Sequence, residues 1–188
     1  MDYHFLQEDF NPNYKPNKIE YSFLELLLPI NLRNEIITWG RNVIKPASLF
    51  IYGTDYGFEH NPHISVLYDI MINEGPVIEQ EIRKIDPPII KLGKISKFPH
   101  KTAENKEKYE VVKIDVFSPS LISLQKYLQT NVPNNNKYES YIPHITLAYI
   151  IPGSCDTLVG NDYWEGTTFT ARLFRFKNKK GKPYDIYV

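Results

Sequence analysis

One cysteine, Cys155, is the whole thiol content of the 188 residues. An internal disulfide is therefore excluded, stability has to come from packing, and a reducing compartment is the natural setting. A surplus of charge is also missing: 22 Lys and Arg are matched by 22 Asp and Glu, for a net charge of zero. Generic coating of a nucleic acid needs excess cations, so any grip on phosphate has to be local. Long apolar runs are lacking too. The most apolar stretch, Phe23 to Leu28, is broken by Glu25 and closed by Pro29, far short of the roughly 20 residues of a membrane span. The first residues, Met1-Asp2-Tyr3-His4 followed by Glu8 and Asp9, carry neither the basic nor the apolar region of a signal peptide. A cytoplasmic protein with no membrane partner is the expectation.

What is present reads as one domain behind an extended arm. Residues 1–18 are polar, with Pro12, Pro16 and several Asn, and show no sustained period. The body runs from 19 to 188. A strand is expected over Ile19 to Leu28, then a helix capped by Asn31 with Leu32, Ile36, Trp39 or Gly40, and Val43 at helical spacing. Leu49 to Tyr52 reads as a short strand, His63 to Ile70 as another, and Pro76 to Ile85 as a helix that stops before Pro87-Pro88. Ile89 to Phe98 and Tyr109 to Phe117 read as strands around a Lys/Glu-rich turn. Ser118 or Ser120 caps a helix to about Thr130 with Leu121, Leu124 and Leu128 as its core stripe. After an Asn tract, Asn134 to Asn136, come strands over Tyr141 to Ile151, Thr167 to Phe176 and Tyr184 to Val188. The order strand, helix, strand, strand, then helix and the same again indicates an α+β fold. Two pseudo-symmetric lobes of antiparallel strands with helices outside would leave a cleft between them.

An internal repeat carries the chemistry. Pro62-His63-Ile64-Ser65-Val66-Leu67-Tyr68 and Pro143-His144-Ile145-Thr146-Leu147-Ala148-Tyr149 share the pattern Pro-His-Ile-[Ser/Thr]-aliphatic-x-Tyr, 81 residues apart. Each copy follows a polar loop and opens a strand. Alternation places His63 with Ser65, and His144 with Thr146, on one face about 6.6 to 6.8 Å apart, while Ile64 and Val66, or Ile145 and Leu147, anchor the other face in the core. A single histidine at a strand start is usually structural, and a duplicated packing motif is the bland alternative. Packing, however, does not ask for a polar His-x-[Ser/Thr] pair in both halves.

The two segments resemble the signature of the two-histidine (2H, LigT-like) phosphoesterase superfamily, a pair of His-x-[Ser/Thr]-aliphatic motifs, one per lobe. That resemblance implies cleavage of phosphodiesters without a metal or other cofactor. It makes His63 and His144 the general acid and base, and Ser65 and Thr146 hydrogen-bond donors to the phosphoryl oxygens. Asn, Ile and Lys recur and alanine is scarce, a bias of AT-rich coding sequences. With it, the small solitary domain is also similar to the phage anti-CBASS phosphodiesterases, which degrade the cyclic di- and trinucleotides of bacterial antiviral signalling. In that case the protein would act in the host cytoplasm. RNA 2′,3′-cyclic or 2′-5′ ends are the alternative substrates, and a non-catalytic module that sequesters a nucleotide is the alternative function. Neutral net charge favours a cyclic oligonucleotide or short RNA-type ligand over long nucleic acid.

Two in-line displacement partners, one accepting and one donating a proton, are what such chemistry requires, and imidazole serves both roles near neutral pH. A metal site built on the His60/His63 spacing with Cys155, His100 or His4 is disfavoured, because positions three apart on a strand face opposite ways. Substrate selection is expected from aromatics around the motifs: Tyr56 in the Gly-containing loop 52–58, Tyr141 before the second motif with Tyr138 near it, and Trp164 with Glu165 as a nucleobase platform. The lysines at 91, 94, 97 and in the turn 177–182 read as solvated charge.

Overall fold

A computed structural model describes residues 22–53, 56–103, 106–138 and 140–188; the expected arm at 1–18 lies outside the described residues. Two four-stranded antiparallel sheets form the body. The first lobe begins with β1 (Ser22–Leu27), α1 (Ile30–Val43) and β2 (His63–Ile70). After α2 (Gly75–Ile82) the chain builds the second lobe from β3 (Ile89–Thr102), β4 (Lys108–Phe117), α3 (Pro119–Asn131), β5 (His144–Ile150) and β6 (Thr168–Thr170). It then returns to the first lobe as β7 (Leu173–Lys177) and β8 (Pro183–Tyr187). The sheet orders are β2-β1-β7-β8 and β5-β4-β3-β6, so the strands that open with His63 and His144 are each an edge of their sheet.

Several expected elements differ in detail, each for a local reason. The stretch 167–176 is two strands in different sheets. Thr168–Thr170 pairs with β3, Ala171 donates its N–H to the Pro88 carbonyl at 2.8 Å, and Leu173 onward pairs with β1; an apolar run reads as one strand in sequence whichever sheet it serves. Leu49 to Tyr52 makes an isolated bridge, Leu49 with Ile150, and no ladder. Asn31 does not cap α1, which starts one residue earlier behind Pro29 and has no side-chain cap. At α3 the expected cap forms: the Ser118 hydroxyl accepts from Leu121 N at 3.1 Å and donates to the Ile89 carbonyl at 2.7 Å.

One hydrophobic core joins the lobes. Leu24, Leu26, Ile64 and Val66 from the first sheet and Val112, Ile114, Ile145 and Leu147 from the second pack with Ile36, Ile78, Leu121, Leu124 and Leu128 of the helices. The two edge strands are closed reciprocally. Residues 49–53 and 56–59, which lead into β2, flank the free edge of β5: Phe50 N donates to Tyr149 O at 3.0 Å, Tyr149 N to Gly57 O at 2.8 Å and Glu59 N to Leu147 O at 2.9 Å. Gly57 has φ of 96° there, a conformation glycine reaches without the Cβ penalty. Segment 133–135, on the approach to β5, covers β2: Met71 N donates to Pro133 O at 2.9 Å and Asn135 N to Asp69 O at 3.0 Å.

Ile145 is fully buried directly between His144 and Thr146 in sequence and holds their strand to the core. Ile145→Ala is expected to destabilise the fold by about 2 to 5 kcal/mol, the cost of a buried cavity, read from the urea unfolding midpoint; a change within a few tenths would show that β5 is not anchored there.

Candidate active site

Between the lobes lies a cavity of about 580 Å3 lined by both histidines and both motif hydroxyls: His63, Ser65, His144 and Thr146. This is within the roughly 300 to 1,000 Å3 typical of small-ligand sites. Its two walls are built alike. The repeat's tyrosine stands five residues after the histidine, an odd offset that in a regular strand would turn it to the opposite face. Both strands solve this with a register shift. In the β1/β2 ladder Glu25 opposes Ser65 and the next residue back, Leu24, opposes Leu67, so Val66 is extra. In the β4/β5 ladder Lys113 opposes Thr146 and Val112 opposes Ala148, so Leu147 is extra. A bulge of one residue reverses the alternation beyond it. Tyr68 and Tyr149 thereby reach the cavity alongside Ser65 and Thr146.

Each ring is oriented in the same way. Nδ1 of His63 lies 2.8 Å from the Asn61 carbonyl oxygen, and Nδ1 of His144 lies 2.8 Å from that of Ile142. A carbonyl only accepts, so Nδ1 carries the hydrogen in both rings, and Nε2 is left to accept a proton when neutral and to donate one when charged. Asn61 is itself fixed: Arg33 of α1 donates to its side-chain oxygen at 2.9 Å, and its N–H donates to Glu59 at 2.9 Å. The Tyr68 hydroxyl donates to Ser65 Oγ at 2.5 Å, which leaves the serine hydrogen available to a bound oxygen.

The surroundings of the two rings differ. Burial pushes the His144 imidazole below its ordinary range; Lys113, Lys101 and His63 push the same way, and only the Ile142 carbonyl opposes them. Phe98 packs edge-on against the His144 ring, centroids 4.7 Å apart. Beside His63 lies the fully buried carboxylate of Glu25, with Oε2 3.6 Å from Nε2. Glu25 also meets Lys177, whose Nζ is 3.0 Å from Oε1. The Lys177 ammonium donates instead to Oε2, at 3.3 Å, and Oε1 has no hydrogen-bond partner among the described residues.

The aromatics expected to select substrate are distributed unequally. Tyr141 lines the cavity, but its hydroxyl crosses between lobes to donate to the Ser65 carbonyl at 2.9 Å, and burial pushes its ionisation far up. Tyr56 stands behind the wall, packed against Phe50, Tyr109 and Tyr149 with ring centroids 5.1 to 5.3 Å away. Trp164 and Glu165 are not brought to the cavity. They follow the far edge of β3, where Gly166 N donates to Leu92 O, on the opposite side of the second sheet from β5. Trp164 is buried against Trp39 and Tyr163, and exposed Glu165 pairs with Lys94 at 3.7 Å. An indole in the core and an aromatic platform look identical in a single sequence. Among the described residues no group of three or more His, Cys, Asp or Glu is placed to hold a metal ion, and no helix is long and apolar enough to cross a membrane.

Sequence reasoning missed Phe98, Lys101 and Tyr109 as lining residues, and the ion pairs behind the walls, Glu25 with Lys177 and Lys113 with Asp115. A lone glutamate inside the apolar run Phe23 to Leu28 was the available signal for the first.

No protein-family model matches the chain, and no curated protein matches it by sequence. Among solved structures, TT0787 of Thermus thermophilus superposes with a TM-score of 0.55 at 17% identity, covering 89% of this chain and 94% of its own. A protein described as a phosphoesterase gives 0.49 at 16% identity, covering 90% and 95%. Kluyveromyces marxianus Usb1, solved with uridine monophosphate, gives 0.49 at 12% identity, covering 92% and 100%. The two-lobed α+β architecture is thus shared with TT0787 over nearly the whole of both chains.

Because the folded state holds His144 less basic than the unfolded chain does, the unfolded chain binds the extra proton. Stability is fully present above about pH 6.5, the unfolded value, and is lost as pH falls through the depressed folded value. Urea midpoints at pH 8 and pH 5 are expected to differ less for His144→Gln than for the unmodified protein; an equal difference would show that His144 does not contribute.

Proposed function

We propose that the protein is a phosphodiesterase that needs no metal and uses His63 and His144 as its proton-transfer pair. The reading is carried by one observation, the convergence of two His-x-[Ser/Thr] pairs on a single cavity with both Nδ1 atoms tied back to main-chain carbonyls. In-line displacement at phosphorus then proceeds with one Nε2 taking the proton from the attacking oxygen and the other giving one to the leaving oxygen. Ser65 and Thr146 donate to the non-bridging oxygens as charge builds on them. Ser65 is suited to this because Tyr68 already fills an acceptor position on its oxygen.

The substrate class we infer is a cyclic di- or trinucleotide with 3′-5′ linkages, of the kind used in bacterial antiviral signalling. The ribose 2′-hydroxyl loses its proton and attacks the adjacent phosphorus, the bond to the 5′ oxygen breaks, and that oxygen takes up the other proton. A 2′,3′-cyclic phosphate results, which water can open by the same pair of transfers. A cavity of small-ligand size and a net charge of zero favour this class over long RNA. Tyr68, Tyr138 and Tyr149 supply faces on which bases can stack. Under this reading the working unit is the bilobal body from residue 19 to 188, and the protein is a phage factor of immune evasion acting in the host cytoplasm.

A panel of cyclic di- and trinucleotides and of RNA 2′,3′-cyclic ends, incubated in excess EDTA, tests the reading. Turnover of the 3′-5′ cyclic species is expected. Cleavage of RNA ends alone would move the substrate class, and tight retention of intact ligand would make the protein a sequestering module. His63→Ala and His144→Ala are each expected to lower turnover by about 100- to 10,000-fold, the usual worth of a positioned acid or base; wild-type rate in either removes that residue from the mechanism. Ser65→Ala or Thr146→Ala is expected to cost about 10- to 1,000-fold in kcat, as loss of one oxyanion donor does; a change confined to KM would count against that role.

A further inference from the structure

The face of the second sheet that carries His144 does not end at the cavity. Asp115 of β4 lies opposite His144 in the β4/β5 ladder, and Phe117, two residues on, shares its face by alternation. On β4 the cavity is lined by Tyr109 and Val111, so Asp115 and Phe117 continue the same face beyond it, past the histidine. Two residues along and one strand across put the Phe117 and His144 backbones about 8 Å apart. Lys91 of β3 stands directly opposite Phe117, and Ile89, two residues before it, shares the face. The face is open there, with Phe117 59% exposed and Ile89 64%.

Phe117 is set in place on this face. A Cβ at Gly93 of β3 would come within 2.4 Å of the Phe117 ring and 3.3 Å of Asp115 Cβ. The ring therefore fills the space above the glycine and leans toward the residue opposite His144. Glycine inside a strand weakens it and often marks a close approach. Covering that bare backbone accounts for one part of the ring. It does not account for the rest, which stays in solvent although Ile114 and Val116 already give β4 its core contacts. The charge beside the ring is also open. Of the lysines at 91, 94 and 97, Lys94 pairs with Glu165 and Lys97 with Glu110 and Asp156, whereas Lys91 has no carboxylate partner among the described residues. Asp115 is already neutralised by Lys113. An exposed aromatic ring and an unpaired ammonium, side by side on an open sheet face, suit a nucleobase and its sugar-phosphate.

We propose that Phe117 is the stacking platform for the second nucleoside of the scissile diester, with Lys91 beside its sugar-phosphate. A diester held between His63 and His144 carries a group on each side. One enters the cavity among Tyr68, Tyr138 and Tyr149, and the other leaves past the histidines onto Phe117. The substrate class narrows to linkages between two nucleosides, cyclic or linear, in preference to terminal 2′,3′-cyclic phosphates, which have no nucleoside on the far side. This inference rests on the phosphodiesterase reading above.

Equilibrium fluorescence with two uncleavable dinucleotides tests the platform. In both, a 2′-O-methyl group blocks the attacking hydroxyl; one carries 2-aminopurine on the 5′ side of the diester and uridine on the 3′ side, and the other has the two exchanged. Stacking on an aromatic ring quenches 2-aminopurine. The unmodified protein is expected to quench both, one in the cavity and one on Phe117. Phe117→Ala is expected to abolish the quench of one isomer and keep that of the other, with affinity about 5- to 140-fold weaker, the worth of one stacked base. Phe117→Trp should quench both. In Phe117→Ala at saturating protein, quenching kept for both isomers or lost for both overturns the platform.

Salt dependence reads the lysine. Lys91→Gln is expected to flatten the slope of log affinity against log salt concentration by about 0.7, the value of one phosphate contact on a single strand; an unchanged slope removes Lys91 from the subsite. A second copy of the chain seated on this face would instead sediment as a dimer that reverts to monomer in Phe117→Ala, and that result also overturns the proposal. If neither dinucleotide binds the unmodified protein, the nucleotide reading fails and the platform with it. If both bind and Phe117→Ala changes nothing, the platform alone fails.

Discussion

Two unpaired strand edges define the problem this fold has to solve. β2 and β5 carry the two histidine motifs and each ends its sheet, and an edge left open presents a row of unsatisfied backbone groups. The solution is exchange. The loop entering β2 is hydrogen-bonded along β5, and the segment approaching β5 is hydrogen-bonded along β2. Closing the edges therefore also fixes the two histidine strands relative to each other. Tyr141 adds a side-chain tie of the same sense, from the approach to the second motif onto the backbone of the first. Convergence of the imidazoles is a by-product of satisfying main-chain hydrogen bonds.

The bulges give the repeat its spacing. A histidine and hydroxyl two residues apart share a face in any strand, but a tyrosine three further on does not. Both lobes insert one residue, Val66 or Leu147, against the neighbouring strand. The chain thereby keeps an aliphatic anchor in the core and still presents three polar groups to the cavity. Bulges of this kind are frequent beside active sites because they re-aim side chains. Here the same device in both copies makes the walls equivalent in backbone.

Much of this is legible in the sequence, and the parts that are not share a cause. The bounds of β2 can be read because alternation and a preceding proline mark it, and the α3 cap because Ser118 stands before a proline and a leucine stripe. The histidine and hydroxyl positions come from the repeat. The partition of 167–176 between sheets is invisible, since apolarity reports burial and not which layer provides it. Trp164 reads as a ligand platform because an aromatic near a motif carries no label for core or cleft. Lys113 escapes for a related reason: on a strand that alternates lysine and aspartate with valine and isoleucine, a charged residue reads as solvent-facing, whereas here it is buried by Phe98, Ser96 and Asp115.

The first lobe is not contiguous along the chain. β1 lies between β2 and β7, and β7 is reached only after the whole second lobe has been laid down. On a ribosome, then, β1, with Glu25, would wait with one flank bare through roughly 150 residues of synthesis, and pairings so distant in sequence are slow to close. The first sheet would be completed late and all at once, when residues 173–187 zip into place beside β1.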